Sequence, residues 1–230
     1  MPIAVKAVAA VGMLALSASI TFAQGTVSGT LSLEERAGAD RGDLRTAVVY
    51  LEPRERAIPV NDVPAMRSRV IAMHGREFRP HVAIVLAGGS VAFPNEDPFS
   101  HNVFSNVDLG PFDLGLYRRG ATRTATFARP GVYPIYCNIH SMMVSFVVAV
   151  PSPWATQPDE TGHFTLRGVP AGRYVIHGWH EHGAREVTRD VVVADSGVEV
   201  QLAIDARTYV EAPHLNKFGR PYSLIRDDRY

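Results

Sequence analysis

Residues 136–143 read Tyr-Cys-Asn-Ile-His-Ser-Met-Met and contain the only cysteine of the 230-residue chain. Within this stretch Cys137, His140 and Met143 follow one another at intervals of three residues. A soft thiolate, a neutral imidazole and a distant thioether are the ligands of a mononuclear copper site that transfers one electron, once a second histidine is supplied. We expect that histidine to be His101, on a neighbouring strand, so that the sheet holds the site even without metal.

The N-terminal residues predict export. Residues 1–23 contain Lys6, an apolar run at 7–16 and a small-residue segment that ends at Ala23. This pattern is typical of a secretory signal peptide and predicts a periplasmic protein. The run is shorter than the ~20 residues of a membrane span, and no later segment approaches that length. A single cysteine cannot form an internal disulfide in an oxidising compartment, so a metal explains its presence best.

A wider pattern surrounds the cysteine. Residues 131–143 read Gly-x-Tyr-x-x-Tyr-Cys-x-x-His-x-x-Met, and a His-Asn pair precedes them at 101–102. This pattern resembles the type 1 copper site of the cupredoxins, and the short Cys-x-x-His-x-x-Met spacing is similar to that of amicyanin and pseudoazurin. The resemblance implies one type 1 copper, with three equatorial ligands and one axial ligand. The equatorial ligands would be His101, Cys137 and His140, and the axial ligand would be Met143.

The same resemblance implies roles for neighbours of the ligands. Asn102 would tie the two ligand loops together near the thiolate. The electron would enter and leave at the edge of His140, within an apolar patch that includes Ile139 and Met142. Met142 is one residue out of the family spacing, so we expect it to be a packing or surface residue beside the site.

The region around the ligands predicts a β-sandwich. Short apolar or alternating runs occur at 69–73, 82–86, 90–93, 112–117, 122–127 and 144–150. Turn-forming segments at 75–80, 88–89 and 129–131 separate them, and no convincing amphipathic helix is present. This spacing favours an all-β Greek-key sandwich over residues 66–150. The cupredoxin resemblance implies the same fold.

A second pattern begins after residue 150. Residues 159–176 resemble the Gly-x-Phe-x-Leu-x-x-Val-Pro-x-Gly-x-Tyr signature of carboxypeptidase-regulatory-like, or transthyretin-like, β-sandwich modules. Such a module opens with two strands, which are present far upstream at 25–33 and 47–51.

We therefore predict that the cupredoxin unit, residues 66–150, is inserted into a transthyretin-like or Ig-like sandwich. The halves of that sandwich would be residues 24–65, which end in a Pro-containing linker, and residues 151–204. The alternative is a tandem arrangement. Residues 205–230 form a tail that either wraps the sandwich or is partly disordered.

The remaining histidines receive two interpretations. His177, His180 and His182 fall within six residues, and the alternating pair could bind a second metal. The competing interpretation is a Trp-His-Glu element at a strand end that makes an interdomain or structural contact. The other histidines lack companion spacing and are expected to be ordinary polar or turn residues: His74, His81, His163 and His214.

The charge balance and the motifs reduce the number of function classes that fit the sequence. The chain has 23 basic and 23 acidic residues, which argues against a nucleic-acid or membrane-surface partner. We predict a blue-copper electron carrier with a transient redox partner, either a quinoprotein dehydrogenase or a cytochrome c. Proteins that join these two modules resemble those associated with methylamine utilisation.

The alternatives to a carrier belong to other classes. They are a copper storage or delivery protein, and an extracytoplasmic structural or binding module whose copper site is incidental. An enzyme is disfavoured, because Tyr136 and Asn138 flank Cys137 where copper oxidases and nitrite reductases have a histidine that leads to a catalytic copper.

Overall fold

The structure is a computed structural model that describes residues 24–38, 41–55 and 63–222. The predicted signal peptide at 1–23, most of the predicted linker at 56–62 and the end of the tail at 223–230 lie outside the described residues. The described chain is almost entirely β-strand, with one 3-10 helix at Leu44–Thr46 and one four-residue α-helix, α1, at Pro64–Arg67. The prediction of an all-β protein is confirmed.

The first strands in chain order are β1 Gln24–Glu34, β2 Val48–Pro53, β3 Ser68–Val70, β4 Ala72–His74, β5 Glu77–Arg79, β6 Val82–Leu86, β7 Gly89–Pro94, β8 His101–Ser105 and β9 Phe112–Tyr117. The later strands are β10 Thr122–Phe127, β11 Gly131–Tyr136, β12 Val144–Val150, β13 Ala155–Thr156, β14 His163–Pro170, β15 Gly172–Trp179, β16 Val187–Val193 and β17 Val198–Asp205.

Strands β3 to β12 build one sandwich, which we call the inner sandwich. One sheet has the order β10-β7-β3 and the other β6-β12-β11-β8-β9, with β4 and β5 as a separate hairpin. Alternate residues of these strands face a shared core that includes Phe93, Val103, Phe127, Tyr133 and Ile135. Strand β12 pairs in parallel with β6, so the chain crosses between distant strands instead of forming a simple meander.

The predicted strand at 69–73 is interrupted in the structure. Strand β3 ends at Val70, and β4 begins at Ala72 and turns back through Gly75 and Arg76, whose φ angles are +65° and +62°. The segment 75–80 therefore contains strand β5 and is not only a turn. The sequence pattern did not predict β5 as a strand, because Phe78 is its only apolar and buried residue.

The strands on either side of the inner sandwich build a second one, the outer sandwich. Its sheets have the orders β14-β1-β17 and β13-β2-β15-β16, and they share a separate core. Strand β1 lies between β14, which is antiparallel to it, and β17, which is parallel. Gly29 is required there, because a Cβ atom at this position would lie 1.7 Å from the carbonyl oxygen of Val200.

A third apolar cluster joins the two sandwiches. In β2, Val49 and Leu51 face the outer core, whereas Val48 and Tyr50 face the opposite way, toward the inner sandwich. In β12, Val147 faces the inner core and Val148 faces the joint cluster. Strands buried on both faces lose the apolar-polar alternation, which explains why residues 47–51 and 146–150 are continuous apolar runs.

Polar and aromatic contacts flank this cluster. The Trp179 ring lies 5.2 Å from the Phe146 ring, measured between centroids. Beside it, His81 Nε2 of the inner sandwich lies 2.6 Å from Glu181 Oε1 of the outer sandwich. The Trp-His-Glu element at residues 179–181 therefore contributes two of its three side chains to the contact between the sandwiches.

The His81–Glu181 pair is expected to make the free energy of unfolding depend on pH. The hydrogen bond that His81 donates to Glu181 raises the pKa of His81 above 6.5, so this contribution is present below about pH 6.5 and is lost as the pH rises through the folded pKa. Burial would raise the pKa of Glu181, but His81 outweighs burial and lowers it below 4.5. That contribution is present above about pH 4.5 and is lost as the pH falls through the folded pKa.

The pair is therefore most stabilising between about pH 4.5 and 6.5. We expect His81→Gln to lower the free energy of unfolding by about 1 kcal/mol or less at pH 5.5, since His81 is partly exposed, and by less at pH 8.5. Urea unfolding at both pH values measures this. An equal loss at the two pH values would contradict the prediction, and Glu181→Gln should remove the same pH dependence.

After β17 the chain continues without further strands as the tail segment, residues 206–222. It begins on the outer sandwich, where the Tyr209 ring stacks 3.7 Å from the His182 ring. In the three described ranges no helix has the length and apolar character needed to cross a membrane.

Candidate metal centre

The ligand loop, residues 137–143, is the connection of the β11–β12 hairpin. Tyr136 pairs with Val144 at the end of the ladder. The Cys137 amide then donates to the Met143 carbonyl at 3.3 Å, and the Met143 amide donates to the His140 carbonyl at 3.1 Å. These two bonds close the loop on itself, so the positions of its side chains are set by the hairpin.

Three of the predicted ligands converge. Cys137 Sγ lies 3.7 Å from His140 Nδ1 and 3.8 Å from His101 Nδ1, and the three atoms lie within 4.8 Å of one another. His101 is the first residue of β8, which pairs with β11 beside the loop. His101 and Cys137 are fully buried, and His140 is half-buried. In the part of the chain that the structure describes, this is the one group of histidine, cysteine or carboxylate side chains with metal-binding spacing.

The two methionines of the loop differ in burial. Met143, the predicted axial ligand, is 1% exposed and packs in the core of the inner sandwich. Met142 is 65% exposed, and Ile139 is half-buried at the rim of the same core. The loop thus presents one thioether to the interior and the other to solvent.

A buried carboxylate that the sequence analysis missed supports His101. Asp97 Oδ2 accepts from His101 Nε2 at 2.8 Å. The Gly75 and Arg76 amides donate to the two carboxylate oxygens at 2.6 and 2.9 Å. With Nε2 engaged as a donor, Nδ1 carries the lone pair and faces Cys137. A carboxylate four residues before a histidine was the available signal in the sequence.

Burial keeps both histidines neutral. Burial is the main cause that lowers the pKa of His140 to about 4, and the neighbouring His101 and Arg76 act in the same direction. Burial also lowers the pKa of His101, although the hydrogen bond that His101 donates to Asp97 opposes this effect. Neutral imidazoles at neutral pH are the form that can donate a lone pair to a metal.

The thiol has a mixed environment. Burial raises the pKa of Cys137, whereas backbone amides of Asn102, Ile139 and His140 hydrogen-bond the sulfur and lower it. A buried sulfur that receives N–H groups from both ligand segments is prepared for the thiolate form once a cation is present.

The contacts of Asn102 differ from those that the resemblance implies. Its backbone amide approaches the thiol, but its side-chain amide donates to Asp113 Oδ1 of β9 at 2.6 Å. Among the described residues the Asn102 side chain makes no hydrogen bond to the loop, and its Oδ1 is buried without a partner.

Aromatic and basic side chains cover the outer edge of the site. The Phe99 ring lies 5.1 Å from the His101 ring and 5.8 Å from the His140 ring. The Arg76 guanidinium lies over the Phe99 ring, 5.1 Å from its centroid. A permanent positive charge therefore lies close to the site.

The histidines of the predicted second metal site have other partners. His177 bonds Glu186 and Glu52 through its two ring nitrogens, at 3.0 and 3.2 Å. His180 Nε2 lies 3.1 Å from Thr46 Oγ1, and His180 Nδ1 accepts from the backbone amide of His182. The second metal site stays a prediction that no contact in the described residues supports.

The donor set fits copper better than other common metals. Two nitrogen atoms and one sulfur atom lie close enough to bind one ion, and the same loop contains a buried thioether. Magnesium and calcium prefer oxygen ligands, and a structural zinc site usually has four strong donors. His101, Cys137 and His140 are thus the residues that could hold a copper ion.

Comparisons with known proteins give partial likenesses. No protein-family model matches the chain, and a search of curated proteins finds no match. Among solved structures, the chain is similar to a copper-containing nitrite reductase from Thermus scotoductus, with 27% identity and a TM-score of 0.34 over 36% of this chain and 22% of that one.

Two smaller proteins give similar values. Amicyanin from Paracoccus versutus has 20% identity and a TM-score of 0.35, over 44% of this chain and 98% of that one. A purple cupredoxin from Nitrosopumilus maritimus has 22% identity and a TM-score of 0.32, over 36% of this chain and 99% of that one. These structural neighbours are cupredoxins.

Proposed function

We propose that this protein is a periplasmic type 1 copper protein that transfers single electrons between redox partners. The observation that supports this most directly is the convergence of the buried Cys137 thiol with the Nδ1 atoms of His101 and His140, at 3.8 and 3.7 Å. Met143 is the proposed axial ligand because it is buried in the same closed loop.

The chain's own groups prepare this site for electron transfer. Bound copper would accept one electron from a donor, as Cu(II) becomes Cu(I), and pass it to an acceptor. Asp97 fixes the His101 ring, and the hairpin fixes the positions of Cys137 and His140. Burial excludes water from the sulfur. Because the ligands are held in place, their positions would change little when the charge of bound copper changes. A small structural change favours fast electron transfer.

The proposed point of electron entry and exit is the His140 edge. His140 is half-buried, and Ile139 and the exposed Met142 lie beside it. A small apolar surface of this kind suits a brief encounter with a redox protein. We propose a quinoprotein dehydrogenase or a cytochrome c as the partner class.

An electron carrier is favoured over an enzyme. The ring of Tyr136 packs against the rings of Phe104 and His214, and Asn138 accepts a hydrogen bond from the tail segment. Neither neighbour of Cys137 offers an imidazole that could lead to a catalytic copper.

We also propose the nested arrangement in place of the tandem one. Residues 66–150 would be the copper unit, inserted into a transthyretin-like sandwich built from residues 24–65 and 151–204. The supporting observation is that β1 and β2 pair with β14, β15 and β17 across the whole inserted segment.

Electrochemistry of the copper-loaded protein tests the proposed function. We expect a reversible one-electron couple, with oxidised and reduced forms that interconvert repeatedly without loss of metal. A protein that binds Cu(I) tightly but shows no reversible couple would support storage or delivery instead. Unchanged partner binding after copper removal would support the structural-module alternative.

A further inference from the structure

The tail segment connects the outer sandwich to the ligand loop. It leaves the last strand of the outer sandwich, where the Ala206 amide donates to the Glu34 carbonyl, and it stacks Tyr209 on His182. Its later part, residues 214–222, lies against the inner sandwich beside the ligand loop. The proposed electron transfer assigns no role to this part of the chain.

One set of contacts grips the start of the ligand loop. The Tyr222 hydroxyl donates to the Cys137 carbonyl at 2.5 Å. The His214 ring stacks on the Tyr136 ring, with centroids 4.4 Å apart and planes 25° apart. Tyr222 also packs edge-on against His214, so the two tail side chains support each other.

A second set of contacts grips the middle of the loop and the segment that carries His101. The Lys217 amide donates to Asn138 Oδ1 at 2.9 Å. The Lys217 ammonium lies 2.6 Å from Asp113 Oδ2, and the other oxygen of Asp113 accepts from the Asn102 side chain. Because Asn102 directly follows His101 in the chain, Lys217 contacts the ligand loop through Asn138 and is linked through Asp113 and Asn102 to the segment that carries His101.

The part of the tail that makes these contacts is itself structured. The Asn216 side chain accepts from the Phe218 and Arg220 amides at 2.9 and 3.1 Å, and the Asn216 amide donates to the Arg220 carbonyl. Gly219, with φ +72°, completes this turn. The turn fixes the direction of Lys217, so that its amide and its ammonium can reach different targets.

We propose that residues 214–222 are a clamp that positions the ligand loop, with Lys217 and Tyr222 as positioning residues and the outer sandwich as the anchor. The clamp holds Tyr136, Cys137 and Asn138 on one side and leaves the His140 edge free. Its effect on the loop is independent of the metal. Its effect on bound copper rests on the proposed function.

Hydrogen exchange of the metal-free, full-length protein tests the clamp directly. We expect the double variant Lys217→Ala/Tyr222→Phe to exchange the amides of residues 137–143 at least about 10-fold faster than the wild type, because local opening becomes easier. The core strand β6 serves as an internal reference and should keep its protection. Equal exchange of the loop in the wild type and the variant would overturn the proposal.

Two single variants separate position from charge. Arg220→Ala removes a positive charge from the same turn, but the hydrogen bonds of Arg220 in the described chain come from its backbone and stay within the turn. We expect it to leave the exchange of the loop unchanged. Lys217→Arg keeps the ion pair with Asp113, so we expect the loop amides to keep most of the protection that the double variant loses. Faster loop exchange in Arg220→Ala would contradict the assignment to specific contacts.

Copper-loaded samples provide the second readout. We expect the double variant to shift the visible copper bands and broaden the copper hyperfine lines, with no such change in Arg220→Ala. If the wild type bound no copper but the exchange result held, the clamp would stand and the proposed function would fail. If the copper couple were reversible and loop exchange were the same in all variants, the function would stand and the clamp would fail.

Discussion

Cys137→Ser is expected to abolish the intense blue absorption of the copper-loaded protein and to lower copper affinity by more than about 100-fold. This loss is larger than the loss typical of replacing a residue that only hydrogen-bonds a metal ligand. The band arises from charge transfer between a thiolate and Cu(II), and a serine hydroxyl is neither soft nor readily ionised. The substitution is nearly isosteric at a fully buried position, so the fold should persist. Visible and paramagnetic-resonance spectra after addition of Cu(II) measure the outcome.

Met142→Leu is the matched control for this experiment. It changes a sulfur-containing residue in the same loop that is 65% exposed, and we expect the spectrum to stay the same. A weak band that is equally present in wild type and Cys137→Ser would contradict the type 1 assignment. In that case copper would bind at surface histidines.

Asp97→Asn is expected to weaken copper binding by about 10- to 100-fold, the range for a partner that orients a ligand. The carboxylate of Asp97 accepts from His101 and from the Gly75 and Arg76 amides. An asparagine would turn one acceptor into a donor, and that NH₂ group would face another donor in a buried site. The His101 ring would then lose its fixed orientation toward Cys137.

Competition with a chelator of known copper affinity measures this loss. Glu96→Gln is the matched control, because Glu96 is adjacent in the chain but exposed, with its closest ionic partner, His74, 3.5 Å away. We expect its affinity to equal that of the wild type. Equal affinities for Asp97→Asn and Glu96→Gln would show that the carboxylate does not orient the ligand.

The all-β fold and the metal candidates were predictable for a physical reason. The ligand loop is short, so the spacing of Cys137, His140 and Met143 in the sequence translates directly into neighbouring side chains at a hairpin end. Strands could be predicted from apolar-polar alternation where one face is buried, and from continuous apolar runs where both faces are buried. The run at 82–86, for example, coincides with β6.

The contacts of the tail segment and of Asp97 were the part that sequence could not supply. Lys217 and Tyr222 contact Asn138 and Cys137, which lie 79 and 85 residues earlier in the chain. The residues around Lys217 and Tyr222 show no apolar periodicity typical of a strand or a helix. His214 was expected to be an ordinary polar residue, yet it stacks on Tyr136. Asp97 was missed because a carboxylate in a loop usually stays in solvent.

The doubly buried strands bear on any attempt to engineer the metal unit as a minimal electron-carrying protein. If residues 66–150 were produced alone, Val82, Val148 and Val150 would become a bare apolar strip on the outside of the sheet. Such a strip promotes self-association, so the excised unit should be poorly soluble. Polar replacements at alternate positions of β6 and β12 would be needed before the site could work outside its host.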